Sequence, residues 1–293
     1  MKPLFVVNAR SGRSRNRDVP AIIREQYDLA KADYELFACE AKEQLDDLVA
    51  RARRERFDVL YAVGGDGTVH ELAKRLIGTE IALGIVPTGS GNGFARHVGL
   101  PIETRKTLTA SRNGRIVTID TATVNGIPFV GVMGAGFDAA VAHRFGATRG
   151  LRNYLREGIA AFAAYRPAEY EIDVDGQTMR RRAYVITVAN SSQYGNNARI
   201  APLASLQDGL LDLVAIDNVS LLSALPLLVR LFNGTMHRSA NATVAQGKRI
   251  VIRRETEGPA HLDGEPLILG AELDVRIVPN SLRVLVPAGR QQV

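Results

Sequence analysis

The sequence has few of the residues that cross-link a protein or stack on nucleic-acid bases. It contains one cysteine, Cys39, no tryptophan, and only 6% aromatic residues. A single cysteine excludes an internal disulfide framework and a thiolate metal centre, and it favours a reducing compartment. Aromatic residues are scarce and no basic stretch is interleaved with them, which argues against a single-stranded nucleic-acid platform. We therefore expect no nucleic acid among the partners.

Long apolar runs are also missing. The longest, 221–232, is interrupted by Pro226 and Arg230 and is too short to span a bilayer. We interpret this run as part of a core, with the alternative that it borders the entrance of a binding site. The apolar run near the N-terminus is too short for a signal peptide. The sequence therefore predicts a soluble, cytoplasmic protein without a transmembrane segment.

Acidic residues are outnumbered by basic ones. The chain has 31 Asp and Glu against 37 Lys and Arg, which gives a net charge of +6. This balance favours an anionic partner, which could be nucleic acid, an acidic membrane surface or a phosphorylated substrate. Charge alone does not choose among these classes of partner.

The pattern of predicted elements changes near residue 115. Before it, short apolar strands alternate with amphipathic helices, which is typical of a parallel sheet covered on both faces. After it, strand-like runs with period-two alternation dominate and favour an antiparallel sandwich. The 293 residues therefore predict an α/β domain over 1–115 and a mainly antiparallel β-sandwich domain over 116–280. Whether a last strand in 281–293 returns to the first domain is left open.

A glycine-rich loop follows the third predicted strand. It reads Gly64-Gly65-Asp66-Gly67-Thr68 and leads into an amphipathic helix. Glycines let backbone N–H groups converge on an anion, and a helix N-terminus adds partial positive charge. Thr68 is expected to cap the helix. An ordinary tight turn would need fewer glycines and no central carboxylate, so the loop predicts a phosphate site.

Two more polar loops follow predicted strands, at 8–14 and 87–93. In the second of them, Ser90 and Asn92 offer side-chain hydrogen bonds. Because all three loops follow strands of one parallel sheet, we expect them at its carboxyl edge, where open α/β sheets bind ligands. A nucleotide bound there would have its phosphates cradled by 65–68 and held further by Ser90 and Asn92.

The glycine loops at 64–68 and 87–93, together with Glu71, resemble those of the diacylglycerol kinase and sphingosine kinase superfamily, including its soluble bacterial lipid kinases. Two distal segments extend the resemblance, Ile-Ala-Pro with Asp-Gly-Leu-Leu-Asp-Leu within 200–213 and His-Leu-Asp-Gly-Glu-Pro at 261–266. The matching segments span nearly the whole chain and follow one another in the same order as in the family. It implies an N-terminal domain like that of NAD kinases and 6-phosphofructokinases, a C-terminal β-sandwich, and ATP-dependent phosphorylation of a lipid hydroxyl.

The resemblance also implies roles for single residues. It assigns ATP contacts to Asn8, Ser11, Gly12, Cys39, Gly64, Gly65, Gly67, Thr68, Glu71, Gly89, Ser90 and Asn92. Asp66 would position the Mg²⁺–phosphate group and Glu265 would act as the general base. A structural Mg²⁺ would use Asp208 and the backbone carbonyls of Leu211 and Leu213. A lipid substrate further implies peripheral attachment to a membrane surface, and an oligomer is left open.

Several departures from the family pattern keep alternatives open. Cys39 stands where the family usually has a threonine, and Ala140 stands where sphingosine kinases use an aspartate for the lipid amine. The acceptor therefore stays open between diacylglycerol-like and sphingoid lipids. An NAD kinase or sugar-phosphate kinase also carries Gly-Gly-Asp-Gly, and a non-catalytic lipid- or nucleotide-binding regulator is a third class. For Glu265 and Asp208 the alternative is a plain hairpin turn.

Overall fold

The chain forms two compact units. A computed structural model describes residues 1–8, 18–145, 165–217 and 219–290. One unit consists of Met1–Thr121 and Pro279–Val293, and the other of Ala122–Val278. Among the described residues, no helix is both long and apolar enough to cross a membrane.

The first unit is built around a parallel sheet. Its elements are β1 (Pro3–Asn8), α1 (Val19–Leu29), β2 (Glu35–Cys39), α2 (Gln44–Arg54), β3 (Val59–Gly64), α3 (Asp66–Leu76), β4 (Ala82–Pro87), α4 (Gly93–His97) and α5 (Thr104–Arg112). The strands lie in the order β2, β1, β3, β4, and the end of the last strand of the chain pairs in parallel with β4 through Val284 and Leu83. The predicted parallel α/β arrangement is therefore confirmed.

The central strands have apolar sequences because they are buried. Every residue of β3 and β4 is buried, as expected where helices cover both faces of a parallel sheet. The rings of Phe5 and Tyr61 stack with their centroids 4.4 Å apart in this core. Helix α5 was not predicted, because Leu108 is the only large apolar residue in its sequence.

The second unit is built from antiparallel strands. Its elements are β5 (Arg115–Val124), which begins in the first unit, β6 (Ile127–Phe129), β7 (Val132–Gly136), α6 (Phe137–Phe145), β8 (Ala168–Val174), β9 (Gln177–Ala189), β10 (Leu211–Asp217), α7 (Leu221–Asn233), β11 (Ala242–Gly247), β12 (Arg249–Arg254), β13 (Gly258–Leu262), β14 (Glu265–Leu269) and β15 (Glu272–Val286). The strands from β14 run in the order β14, β13, β7, β9, β8, β12, β15, and β10 lies between β9 and β11. Antiparallel pairing of these strands confirms the predicted architecture.

The hairpin formed by β13 and β14 was missed by the strand prediction. Its turn is Asp263-Gly264, with φ angles of 52° and 88°. Two consecutive left-handed residues make the turn that two-residue hairpins favour, and an Asp-Gly pair tolerates it. The alternative considered for Glu265, a hairpin turn, is thus correct as a description of the local backbone.

The expectation that 221–232 is part of a core is wrong for most of α7. Leu227 is buried, whereas Leu222, Leu225 and Phe232 are exposed. The helix itself is well terminated. Ser220 forms a capping box at its start, and Gly234 takes the left-handed conformation at its end.

Candidate active site

The two glycine loops meet at the carboxyl edge of the parallel sheet, as the sequence predicts. Gly64 at the end of β3 pairs with Pro87 at the end of β4, so both loops begin at the same level. A Cβ atom on Gly89 would lie 2.6 Å from the Cα atom of Gly65, closer than real Cβ atoms approach a backbone. The loops therefore touch backbone against backbone, which only glycine allows.

Asp66 ties these loops together. Its Oδ2 accepts a hydrogen bond from the N–H of Asn92 at 2.7 Å, and its Oδ1 accepts one from the N–H of Gly93 at 2.7 Å. Both bonds are charge-assisted, and they fix the start of α4 to the start of α3.

Asn92 closes the second loop on itself. It has a φ of 51°, and its side chain exchanges two hydrogen bonds with the backbone of Gly89, at 2.8 and 3.0 Å. Its amide is buried and shapes the loop, while the neighbouring Ser90 is exposed. The ATP contacts of Gly89, Ser90 and Asn92 stay predictions.

The predicted cap at Thr68 is wrong. Helix α3 begins at Asp66 with Gly65 as its N-cap, and no side chain caps it. Thr68 lies inside the first turn, where its hydroxyl accepts a hydrogen bond from the side chain of Asn8 at 2.9 Å. A Cβ atom on Gly64 would collide with Thr68. A helix N-terminus without a side-chain cap, at a glycine turn, is compatible with phosphate binding, which stays a prediction.

Glu71 lies one turn further along α3 and is held by its own helix. It pairs with Lys74 at 3.0 Å and with Arg75 at 2.7 Å, and Arg75 also bonds Asp46. Burial of Glu71 acts to raise its pKa, but the hydrogen bonds from Arg75 and Lys74 outweigh burial and hold that pKa below its usual value. Its ATP contact stays a prediction.

Cys39 is the last residue of β2 and pairs in register with Asn8. Its thiol donates a hydrogen bond to the carbonyl of Ala41 at 3.2 Å, and burial raises the pKa of that thiol. Cys39 is therefore a neutral thiol at neutral pH. The first polar loop continues through Ser11 and Gly12, which lie outside the described residues.

Replacing Asp66 with Asn should loosen the contact between the loops. The amide can satisfy one of the two N–H groups of Asn92 and Gly93, and it faces the other with a donor. We expect the first unit to lose about 2–3 kcal/mol of unfolding free energy and to bind ATP more weakly. Urea unfolding and ATP titration measure both effects. Asp47→Asn, at an exposed position of α2, is the control, and equal behaviour of the two variants would contradict this role.

In the second unit, Asp263 anchors the hairpin that carries Glu265. Its carboxylate accepts hydrogen bonds from the N–H groups of three consecutive residues, Val130 at 3.0 Å, Gly131 at 2.7 Å and Val132 at 2.9 Å. Glu265 is exposed and follows the turn directly, as the first residue of β14. A half-buried anchor thus fixes the backbone from which Glu265 projects.

Next to this anchor lies a buried polar cluster that the sequence did not reveal. His261 Nε2 is 3.2 Å from Asp138 Oδ2, and the hydroxyl of Tyr194 donates to the same oxygen at 3.0 Å. The Thr187 hydroxyl lies 2.5 Å from that of Tyr194. His261 lies in β13 with 4% of its surface exposed. A Cβ atom on Gly134 would collide with His261, so the glycine leaves room for this cluster.

The residues of the implied metal site lie at the start of β10. Asp208 is exposed in the preceding turn, where it accepts a hydrogen bond from the N–H of Leu210 at 3.0 Å, and Leu211 and Leu213 are buried in the strand. Among residues 1–8, 18–145, 165–217 and 219–290, no group of three or more His, Cys, Asp or Glu side chains could hold a metal ion. Mg²⁺ binding therefore stays a prediction.

Asp212 is the unusual carboxyl of this segment. Burial and then the charge of Asp208 raise its pKa to about 6, although Gln246 donates a hydrogen bond to it at 3.2 Å. Because the usual value is near 3.8, the folded state binds this proton more tightly than the unfolded state. Above pH 6 the buried charge therefore destabilises the second unit.

Asp212→Asn should remove that cost. We expect the unfolding free energy at pH 8 to rise by about 2 kcal/mol, and this gain to disappear as the pH falls from 6 towards 4, where wild-type Asp212 is protonated in the folded state. Chemical unfolding in EDTA at several pH values measures the difference. An equal effect at pH 8 and pH 4 would show that the charge of Asp212 is not the cause.

Two family models match the chain in tandem. The "Diacylglycerol kinase catalytic domain" matches residues 2–124, and the "YegS C-terminal NAD kinase beta sandwich-like domain" matches 131–286. The class of protein is therefore a kinase catalytic domain followed by a β-sandwich-like domain.

Curated relatives agree with this class. A Citrobacter koseri protein named "Probable lipid kinase YegS-like" is 32% identical over 250 residues, which are 82% of this chain and 81% of that protein. The chain belongs to the YegS-like family of lipid kinases. The "Diacylglycerol kinase" of Bacillus subtilis is 26% identical over 89% of this chain and 88% of its own length. An "Uncharacterized protein" of Synechocystis is 30% identical over 78% of the chain, which spans 54% of that longer relative.

A solved structure supports the fold. A crystal structure of a diacylglycerol kinase from Bacillus anthracis has a TM-score of 0.73 at 18% identity, covering 97% of this chain and 96% of that one. The predicted resemblance, the fold class and the assignment to ATP-using kinases are confirmed by these matches.

Proposed function

We propose that this protein transfers the γ-phosphoryl group of ATP to a hydroxyl of a diacylglycerol-like or sphingoid lipid. The observation that carries the proposal is the match of both family models in tandem, with a relative named as a lipid kinase over most of both chains. The glycine loops alone would fit an NAD kinase or a sugar-phosphate kinase equally well. The distal His-Leu-Asp-Gly-Glu segment favours the lipid kinase.

In this proposal the first unit binds the triphosphate. The uncapped N-terminus of α3 and the loop residues 90–91 supply N–H donors, and Asp66 holds the two loops in register. The first loop, Glu71 and Cys39 are the remaining contacts implied by the family. Preorganised donors of this kind stabilise the charge that develops on the transferring phosphoryl group.

Glu265 is the proposed general base. The lipid hydroxyl oxygen forms a bond to the γ-phosphorus while the bond from that phosphorus to the bridging oxygen of ADP breaks, and the hydroxyl proton passes to Glu265. Within the described ranges, no hydrogen bond or ion pair engages the Glu265 carboxylate, although its backbone is fixed by Asp263. An accessible carboxylate on a rigid turn suits this role.

Mg²⁺ is proposed at two places. One ion would accompany ATP near Asp66, the residue to which the family resemblance gives this role, and would neutralise phosphate charge. A structural ion would be held by Asp208 and the carbonyls of Leu211 and Leu213, which are oxygen ligands that suit a hard cation. Peripheral contact with a membrane is proposed from the nature of the substrate. The cytoplasmic location and the oligomeric state stay predictions of the sequence.

A panel of acceptors tests the function. The full chain is incubated with Mg²⁺, ATP labelled at the γ-phosphate, and separately diacylglycerol, sphingosine, NAD or a sugar phosphate. We expect label in one of the lipids. Label in NAD or the sugar phosphate would select the other kinase classes, and normal ATP binding without any labelled acceptor would favour a non-catalytic regulator.

A further inference from the structure

Helix α7 is apolar on both of its faces. One face, with Leu227 and Leu231, packs on a core cluster of the second unit. On the opposite face five large side chains are exposed. They are Leu222 at 91%, Leu225 at 68%, Leu228 at 41%, Val229 at 55% and Phe232 at 50%. We call these five residues the α7 stripe, because their spacing places them in one row along the helix.

A row of this kind is unusual on a surface helix. The solvent face of such a helix normally carries charged and polar residues, and a contiguous apolar patch marks a place where something binds. The only charged residue of α7 is Arg230. The capping box at Ser220 and the left-handed Gly234 show that the helix is properly terminated, so the stripe belongs to a well-formed element.

The charges around the end of α7 indicate what covers the stripe. Arg199 is exposed and its N–H donates to the carbonyl of Leu231 at 2.7 Å, while Arg238 is exposed in the turn after the helix. In the part of the chain that the structure describes, neither these two arginines nor Arg230 form an ion pair. The sequence between Asp217 and Glu255 contains no Asp or Glu at all. An apolar row bordered by basic residues complements an anionic lipid surface.

Other occupants fit less well. Two copies of the chain meeting through this face about a two-fold axis would bring the same basic cluster against itself, which is unfavourable. A helix of 13 residues is too short to cross a bilayer. It can lie in the plane of the interface, with long arginine side chains reaching the headgroups.

We infer that α7 is a membrane-docking helix. The α7 stripe enters the interfacial region of an anionic bilayer, and Arg199, Arg230 and Arg238 meet the phosphates of lipid headgroups. This extends the proposed peripheral attachment to a defined surface, and it depends on neither ATP binding nor Glu265. The partner is the bilayer surface itself, whichever lipid serves as acceptor.

Vesicle flotation of the full chain without ATP tests the inference. The vesicles are phosphatidylcholine with or without phosphatidylglycerol, and neither contains an acceptor lipid. We expect binding that needs phosphatidylglycerol. Leu225→Ser combined with Phe232→Ser should weaken it at least about tenfold, because two large side chains no longer leave water. Arg230→Gln combined with Arg238→Gln should weaken it about tenfold on anionic vesicles only.

Leu29→Ser is the matched control, since Leu29 is 79% exposed at the end of α1 in the first unit. It should leave vesicle binding unchanged, and unchanged Tm values should show that all variants fold. Unaltered binding of the stripe variant, or no binding to any vesicle, would overturn the inference. Self-association of the wild type that the stripe variant abolishes would assign the face to a second copy and would also overturn it. A failed kinase assay leaves these results intact.

Discussion

Glu265→Gln should lower kcat for phosphoryl transfer about 10²–10⁴-fold while leaving the fold and ATP affinity unchanged. The amide keeps the shape of the side chain but cannot accept the proton of the lipid hydroxyl. Because Glu265 is exposed and no hydrogen bond within the described ranges involves its carboxylate, its replacement should not disturb the hairpin. Steady-state kinetics with the lipid identified by the acceptor panel, together with an ATP titration, measure the two quantities.

Glu255→Gln provides the comparison for this experiment. Glu255 is another exposed glutamate of the second unit, in the segment before β13, so its replacement changes the charge by the same amount. It should keep kcat within a factor of about 2 of the wild type. Equal activities of the two variants would remove Glu265 from the chemistry and leave it as a turn residue.

Asp263→Ala should be the most destabilising of the proposed substitutions. Three backbone N–H groups, those of residues 130–132, lose their common charged acceptor. We expect the second unit to lose about 4 kcal/mol of unfolding free energy. Activity should fall as well, because Glu265 loses the anchor of its turn. Urea unfolding followed by circular dichroism gives the first effect, and kcat measured well below the unfolding midpoint gives the second.

The β8–β9 turn offers a matched variant. Asp175-Gly176 has the same left-handed pair, with φ angles of 49° and 91°, and the Asp175 carboxylate accepts two backbone N–H bonds, from Lys248 and Arg249. Asp175→Ala should therefore destabilise the second unit while kcat of the folded protein stays near the wild-type value. If Asp175→Ala and Asp263→Ala reduced kcat alike, the loss would reflect general stability and not the placement of Glu265.

The parallel half of the fold could be predicted because its signals are local. Buried strands such as β3 read as apolar runs, the helices show their period, and glycines mark the turns between them. The hairpin of β13 and β14 could not be predicted in the same way. Gly258, Pro259 and Pro266 weaken its strand pattern, and its anchor is a set of hydrogen bonds that Asp263 accepts from residues 131 to 133 positions earlier in the chain.

Within the site, the sequence predicted which loops meet but not how they are joined. Asp66 is predicted to position the Mg²⁺–phosphate group, and the structure adds two hydrogen bonds that its carboxylate accepts from the start of α4. Thr68 was predicted to cap α3, but its hydroxyl accepts a hydrogen bond from the side chain of Asn8 in the neighbouring strand β1. In α7 the composition indicated burial, and only the packing distinguished the covered face from the α7 stripe. Each of these differences is a tertiary contact that a local pattern does not contain.

The backbone contact between Gly65 and Gly89 limits how the preference for a nucleoside triphosphate could be engineered. Since no side chain fits where the two loops meet, a larger residue at either position would push the loops apart and disturb the bonds of Asp66. Attempts to make the enzyme accept a different nucleoside triphosphate should therefore leave this glycine pair intact. They should instead vary exposed neighbours such as Ser90, where added volume displaces only solvent.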